Sequence, residues 1–130
     1  MPQRVGPAMA REAPGAGPVV KGFAGRGFRV GDRIVPGGLL LTPEDARDWD
    51  VRTIEALTVQ DVAWPLALDP PPEFLLLGTG DAMRRPAPAF TAALEARGVG
   101  VEAMDSRAAA RAWGVLRAEG RWIAAALLPL

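Results

Sequence analysis

The residues best suited to ligand chemistry are Gly-Thr-Gly at positions 78–80, which directly follow the apolar run FLLL. Glycines on both sides of one residue let backbone N–H groups approach an anion, and many phosphate-binding turns begin in this way. Asp105 and Ser106 follow the next apolar run, and Arg107 comes directly after them. If both runs are neighbouring parallel strands, these groups meet at the sheet edge where open α/β folds bind ligands. The sequence therefore predicts a small polar pocket formed by Gly78, Thr79, Gly80, Asp105, Ser106 and Arg107.

The turn departs from the nucleotide-binding fingerprints. The dinucleotide fingerprint G-x-G-x-x-G needs a third glycine where this chain has Met83, and its helix opens directly from the turn. Here the next helix is expected to begin near Pro86, and the sequence contains no G-x-x-x-x-G-K-S/T loop. A small-anion pocket and a purely structural turn beside a close-packed helix both remain open. Asp105 or Ser106 could equally serve as a helix N-cap, worth about 1 kcal/mol.

The composition limits the chemistry available for catalysis. The chain contains no His, Cys, Tyr or Asn, and Ser106 and Lys21 are its only serine and lysine. Zinc sites built from Cys and His, cysteine nucleophiles and relays with a His base are therefore excluded. We expect no cofactor and no bound metal, and binding rather than catalysis. One group of carboxylates could hold a hard cation, although crowded loop carboxylates are more often solvent-exposed: Glu44, Asp45, Asp48 and Asp50.

Charge and hydropathy bound the partners and the location. The 15 basic and 15 acidic residues give a formal net charge of zero, which argues against general nucleic-acid binding. The longest apolar stretch, Ile123–Leu130, is well short of the roughly 20 residues that a bilayer requires. The N-terminal region lacks the apolar segment of a secretory signal, so we expect a cytoplasmic protein. Its Pro and Gly content predicts a disordered tail over residues 1–18, followed by a single domain over residues 19–130.

The second half of the chain reads as alternating strands and helices. Three apolar runs, EFLLLG, VGVEAM and WIAAALL, are typical of strands buried on both faces. Pro86 and Pro88 open a helix between the first two runs, and Gly98 ends it. The second helix ends at Gly120, and its apolar stripe comprises Ala109, Ala112, Trp113 and Leu116. The resulting β-α-β-α-β order predicts a right-handed parallel unit.

The first half has shorter elements and more turns. Strands are predicted at Val19–Phe23, Phe28–Val30, Arg33–Val35 and Leu39–Leu41. Turns rich in Gly and Pro separate them, which indicates an antiparallel meander that extends or covers the parallel sheet. One more strand is expected near Trp49. Thr58 and Asp61 form a capping-box pattern before a helix over Val59–Trp64, which Pro65 ends. Together the two halves predict a mixed α/β domain.

The large side chains and the arginines lead to further expectations. Trp113 and Trp122 fall on predicted core faces. Trp49 and Trp64 lie near turns and are candidates for exposed interface anchors. Four arginines recur along and after the second long helix and are expected to form a solvated face: Arg107, Arg111, Arg117 and Arg121.

Four segments of the second half resemble one protein family. They are LGTG at 77–80, RGVGVE at 97–102, DSR at 105–107, and EGR at 119–121 before AAALLP. In this order and spacing they are similar to a small family of domains of unknown function. That family includes the mitochondrial respiratory complex I assembly factor 3 proteins, the adipogenesis-associated domain proteins and many bacterial and archaeal members. The resemblance is strong from Phe74 onward and looser before it.

The resemblance implies a compact three-layer α/β domain with a mixed central sheet and an extra β layer from the first half. It carries over no established catalytic residue. One departure is Trp113-Gly114, where many relatives have an aromatic residue followed by Asn. The mitochondrial members act in assembling complex I at the inner membrane with another assembly factor, which implies a protein partner, unidentified here.

Two functions therefore remain open. The first is a non-catalytic interaction domain that serves in respiratory complex assembly. The second is a binder of, or an enzyme acting on, a small anionic ligand at the Gly-Thr-Gly turn. A homo-oligomer is compatible with either.

Overall fold

The computed structural model describes residues 16–130, which form eight β-strands, three α-helices and two short 3₁₀ segments. The strands are β1 (Val20–Ala24), β2 (Gly27–Val30), β3 (Arg33–Val35), β4 (Gly38–Leu41), β5 (Ala46–Trp49), β6 (Phe74–Gly78), β7 (Gly100–Met104) and β8 (Ala124–Leu127). The helices are α1 (Ala63–Leu66), α2 (Pro88–Glu95) and α3 (Ser106–Ala118), and the 3₁₀ segments are Ile54–Ala56 and Val59–Val62.

Five strands form a mixed central sheet in the order β5-β4-β8-β6-β7. Strand β6 pairs in parallel with both β7 and β8, which confirms the parallel β-α-β-α-β unit. Strand β8 also pairs antiparallel with β4, with Leu127 opposite Leu39. The last strand of the unit thus occupies the middle of the sheet, and the first half of the chain supplies one side of it.

Strands β1 to β3 form a separate antiparallel sheet in which Phe28 pairs with Val35. This confirms the N-terminal meander. The fourth predicted strand of that meander, Leu39–Leu41, instead lies within β4 of the central sheet. Its three leucines are all buried, as is typical of a strand covered on both faces, whereas β2 and β3 expose Arg29 and Ile34.

Alternate residues of the central strands supply two cores, one on each face of the sheet. On the first face, α3 and the small sheet pack against Leu39, Leu76 and Leu127. On the second face, α2 and the segment from Ile54 to Leu66 cover Leu75 and its neighbours. The fold is therefore the three-layer α/β arrangement expected from the resemblance.

The helices begin and end largely as the sequence predicts. The Asp105 carboxylate accepts the Ala108 N–H at 2.9 Å and caps α3, which selects Asp105 over its neighbour as N-cap. Gly98 and Gly120 follow the ends of α2 and α3 with φ of 79°. The predicted helix Val59–Trp64 begins as a 3₁₀ segment and ends at Leu66. Its proline is accommodated because Pro65 lies in the first turn of α1, where the missing N–H has no helical partner to lose.

The sequence leads to an expectation for each of the four tryptophans, and Trp64, one of the two candidate exposed anchors, is half-buried. Trp113 is fully buried, as predicted. Trp49 is also buried, with its Nε1–H donated to the Asp61 carbonyl at 2.9 Å, so its assignment as an exposed anchor is wrong. The expected core position of Trp122 is also wrong. Trp122 precedes β8, is half-buried, and donates its Nε1–H to the Pro70 carbonyl at 2.6 Å.

The expectation of a solvated arginine face fails at Arg117, whose side chain is only 2% exposed. It lies one helical turn after Trp113 and therefore on the buried side of α3. Its guanidinium donates to the Arg121 carbonyl at 2.7 Å and to the Ala16 carbonyl at 3.2 Å. Arg117 is a part of the core rather than of a charged surface.

The predicted disordered tail, residues 1–18, lies mostly outside the described residues. Within the described part, the Pro18 carbonyl accepts the Trp113 Nε1–H at 2.8 Å, and the Ala16 carbonyl accepts from Arg117. These residues contact α3. The domain boundary at residue 19 stays a prediction.

Replacing Gly114 with alanine is expected to raise the free energy of unfolding by about 0.5–1 kcal/mol. Gly114 lies inside α3, and a Cβ at this position would meet no atom within 4 Å outside its own helical turns. Alanine would lower the conformational entropy of the unfolded chain without a steric cost. Urea denaturation followed by circular dichroism measures the change. Gly114→Asn, the residue of many relatives, should gain less, and a loss with alanine would contradict the prediction.

Candidate functional site

The Gly-Thr-Gly turn follows β6 and is fixed by backbone hydrogen bonds to the ends of β7 and β8. The Thr79 N–H donates to the Met104 carbonyl at 2.8 Å. The Gly80 carbonyl accepts the Ser106 N–H at 2.8 Å, and the Gly78 carbonyl accepts the Leu128 N–H at 2.9 Å. Both neighbouring strands thus set the position of the turn at the carboxyl edge of the sheet.

The Thr79 side chain folds the following loop back onto the turn. Its hydroxyl lies 2.6 Å from the Ala82 carbonyl and accepts the Arg84 N–H at 3.0 Å. Thr79 is 2% exposed, so these bonds form away from bulk water. The loop from 79 to 84 is consequently held as a compact turn that carries Asp81 and Arg84 on its outer side.

The Ser106 side chain connects the Gly-Thr-Gly turn to the residue that follows β8. Its buried hydroxyl accepts the Gly80 N–H at 2.9 Å and donates to the Leu128 carbonyl at 2.7 Å. Gly78 lies directly beside it. A Cβ at Gly78 would lie 2.7 Å from Ser106 Oγ, which leaves no room for a side chain. Gly78 and Ser106 therefore position the turn, and neither lines the cavity that Thr79 and Gly80 line.

The remaining predicted pocket residues are divided between different surroundings. Thr79 and Gly80 line a cavity of about 250 Å³. Asp105 is occupied as the N-cap of α3. The Arg107 guanidinium lies over the Phe23 ring, 5.4 Å from its centre, and thus toward the small sheet. The structure brings the turn residues together with Ser106 but turns Arg107 away from the cavity.

Residues from four separate segments enclose this cavity. Three are arginines, and two are carboxylates that oppose them. The lining residues are Arg26, Arg52, Thr53, Ile54, Glu55, Thr79, Gly80, Asp81, Arg84, Leu128 and Pro129. The cavity walls therefore carry more positive than negative side chains, although the whole chain has no net charge.

Arg84 and Asp81, which both line the cavity, form an ion pair with Nη1 and Oδ1 3.1 Å apart. The hydrogen bond and the charge of Arg84 hold the pKa of the Asp81 carboxyl below its usual value, and the charge of Arg26 acts in the same direction. Arg26 also donates from Nε to the Leu130 main-chain oxygen at 2.7 Å. Both arginines therefore act on one exposed carboxylate, which is ionised at neutral pH.

The three arginines were not predicted as site residues. Arg26 lies in the turn between β1 and β2, Arg52 follows β5, and Arg84 follows β6. They converge because β4 pairs with β8, and β8 pairs with β6. This pairing brings the first half of the chain close to the end of β6. No local motif signals this convergence, although an arginine four residues after Gly80 could have drawn attention to the loop.

A larger groove, of about 540 Å³, lies at the opposite end of the central strands, where the chain leaves β4 and enters β8. Trp64 and Trp122 both line it, and the Arg47 guanidinium lies over Trp64 at 4.2 Å from the ring centre. Its charged lining residues are Glu44, Asp45, Asp69 and Arg47. We refer to this surface as the tryptophan groove.

Two further sequence expectations concern metals and membranes. Among residues 16–130, no three or more carboxylates come together in a way that could hold a metal ion. None of the helices in the same stretch is long and apolar enough to cross a bilayer.

Comparisons with known proteins match nearly the whole of the chain. A family model described as "Protein of unknown function (DUF498/DUF598)" matches residues 20–128. The chain is 32% identical over 121 residues to the NADH dehydrogenase [ubiquinone] 1 alpha subcomplex assembly factor 3 of Bos taurus. That match covers 93% of this chain and 65% of the bovine protein, so the chain spans less than two thirds of that relative.

Two further relatives are similar along almost their full length. An uncharacterized protein of Rhodobacter capsulatus is 36% identical over 124 residues, with 94% of each chain covered. The crystal structure of a Bordetella parapertussis protein superposes with a TM-score of 0.80 at 34% identity. It covers 88% of this chain and 98% of its own. The three-layer fold described above is therefore that of solved relatives.

Proposed function

The chain belongs to the DUF498/DUF598 family of proteins of unknown function, and from this we propose that it is a non-catalytic interaction domain in respiratory complex I assembly. The observation that carries the proposal is the similarity to the bovine assembly factor, which extends over nearly the whole chain. The absence of His and Cys from the sequence agrees with binding rather than catalysis. A cytoplasmic location and the oligomeric state stay predictions.

The tryptophan groove is the surface that best suits a protein partner. Trp and Arg are enriched among the residues that dominate binding energy at interfaces, and Trp64 and Arg47 stack there. Three carboxylates face one arginine in the same groove, so a cationic segment of the partner fits its charge. This supports a partner that presents Lys or Arg side chains.

Removal of the gene from its native source is expected to lower the amount of assembled complex I several-fold. Blue-native electrophoresis of membranes and NADH:ubiquinone activity measure the assembled enzyme. Reintroduction of the wild-type chain should restore both. The Trp64→Ala variant should restore neither the amount nor the activity of complex I, because the groove loses its aromatic anchor. The control variant Val115→Ala, which changes an exposed residue of α3, should restore both the amount and the activity.

Unchanged complex I in the deletion strain would rule out the assembly role. Full rescue by Trp64→Ala, with rescue by the wild-type chain, would instead exclude the groove as the contact surface. Circular dichroism of each purified variant separates loss of contact from loss of fold.

A second candidate function, binding of a small anionic ligand, is favoured by one specific observation, the three arginines around the cavity after β6. Neither function depends on the other, because the cavity and the tryptophan groove lie at opposite ends of the parallel strands.

A further inference from the structure

We propose that the cavity after β6 binds a small oxyanion, a phosphate or a carboxylate group, through Arg26, Arg52 and Arg84. This inference rests on the second candidate function and is independent of the assembly role. It names the ligand class and replaces the predicted pocket edge, Asp105 to Arg107, with three residues from elsewhere in the chain.

The first support is the convergence of like charges. Three arginines from three separate loops line one cavity together with two carboxylates, Glu55 and Asp81, so its lining carries an excess of one positive charge. Placing cations together costs free energy unless an anion accompanies them. The planar guanidinium matches the geometry of carboxylate and phosphate oxygens and can donate two parallel hydrogen bonds to either. A bound oxyanion would therefore balance the remaining positive charge of the lining.

The second support is the bare wall at Gly80. Its φ of +102° is rarely adopted by residues with a side chain. A Cβ at this position would lie 3.5 Å from the Pro129 carbonyl oxygen and 3.8 Å from Arg84 Nη1, both in the cavity lining. Any side chain at Gly80 would consequently project between the two groups, and glycine keeps the space beside the Arg84 guanidinium open.

The third support is the position and size of the cavity. It lies beyond the carboxyl ends of β6 and β8, where open α/β sheets bind ligands. Its volume of about 250 Å³ is just below the range of pockets for drug-sized ligands, roughly 300–1,000 Å³. The cavity therefore suits a phosphate or a short dicarboxylate better than a nucleotide.

Asp81 competes for the same cations that an oxyanion would use. Its carboxylate pairs with Arg84 and lies within the electrostatic reach of Arg26. The pair is exposed, with side-chain exposures of 47% for Arg84 and 71% for Asp81, so an incoming anion can displace it. Removing the Asp81 charge should therefore strengthen anion binding, whereas removing an arginine should weaken it.

The test is a titration of the full 130-residue chain with inorganic phosphate and, separately, with succinate at constant ionic strength. Two-dimensional NMR spectra follow the Gly80 amide and the arginine Nε–H signals. We expect saturable shifts at Gly80 and at the three cavity arginines, and none at the Gly98 amide. Saturation by phosphate alone assigns a phosphate ligand, and saturation by succinate alone assigns a carboxylate.

Single substitutions give the decisive comparison. Arg52→Gln and Arg84→Gln should each raise the dissociation constant about tenfold, as expected for the loss of a charge-assisted hydrogen bond. Asp81→Asn should lower the dissociation constant. Arg97→Gln is the matched control, because Arg97 is exposed after α2 and does not line the cavity.

Two results would overturn the proposal. One is the lack of any saturable shift with either probe at concentrations well above the millimolar range. The other is an equal loss with Arg97→Gln and Arg52→Gln, which would indicate attraction to surface charge alone. Arg52 is exposed, so its variant keeps the test valid if Arg84→Gln fails to fold. Neither result would bear on the complex I assay.

Discussion

Replacing Trp113 with alanine is expected to lower the free energy of unfolding by about 3–5 kcal/mol. The Trp113 side chain is fully buried in the core between α3, the small sheet and the central sheet. Alanine would leave a large cavity that the surrounding strands can fill only partly. It would also leave the Pro18 carbonyl without the Nε1–H donor now 2.8 Å away. Urea denaturation followed by tryptophan fluorescence and circular dichroism measures the loss.

Trp113→Phe separates the two contributions to this loss. Phenylalanine keeps most of the ring volume but cannot donate a hydrogen bond to the Pro18 carbonyl. Trp113→Phe should therefore lower the free energy of unfolding by about 1–3 kcal/mol, as expected for one unsatisfied carbonyl and a small cavity. A Trp113→Ala variant no less stable than Trp113→Phe would show that packing around this ring contributes little, contrary to the prediction.

Replacing Gly78 with alanine is expected to lower the free energy of unfolding by about 1–3 kcal/mol. The added Cβ would lie 2.7 Å from Ser106 Oγ and 2.9 Å from both Leu127 Cδ2 and Ser106 Cα. Because one of these atoms belongs to the backbone of α3, rotation of side chains cannot relieve the contact. The helix must move away from β6, which stretches the bonds from Ser106 to Gly80 and Leu128. Denaturant unfolding gives the stability change, and the Gly80 amide shift reports the movement of the turn.

Gly22→Ala is the matched control for this variant. Gly22 also lies in a strand, β1, but a Cβ there would meet no atom within 4 Å. It should not lower the free energy of unfolding, because alanine meets no atom there and also restricts the unfolded chain. A similar loss in both variants would attribute the effect of Gly78→Ala to strand backbone preferences rather than to the close approach of α3.

The second half of the fold was predictable because its signals are local. The three apolar runs and the two glycines that end the helices each identify an element from its own residues. The place of β8 between β4 and β6 was not predictable in this way. Pairing β8 with β4 depends on contacts about 85 residues apart, such as Leu39 with Leu127, and no period of the sequence records them.

The candidate site follows the same division. The turn at 78–80 was recognisable from its glycines, and Asp105 from its place before a helix. The sequence prediction was wrong for Trp49, which lies near a turn, and for Arg117, which is charged. Both side chains are buried because each donates to a carbonyl oxygen that the fold brings to it: that of Asp61 for Trp49 and that of Ala16 for Arg117. The arginines of the cavity were missed for a related reason, since only the tertiary fold brings Arg26, Arg52 and Arg84 together.

The central position of β8 has a consequence for synthesis on the ribosome. Among the described strands β8 is translated last, yet it joins the β4–β5 pair to the β6–β7 pair. A nascent chain that lacks residues 124–127 therefore holds one antiparallel hairpin, β4–β5, and one parallel pair, β6–β7, each with an unpaired apolar edge. Such edges are the kind of surface that aggregates or recruits chaperones. Translation is vectorial, but the central sheet joins its two pairs of strands only through β8. We therefore expect the central sheet to be completed only after β8 has left the exit tunnel.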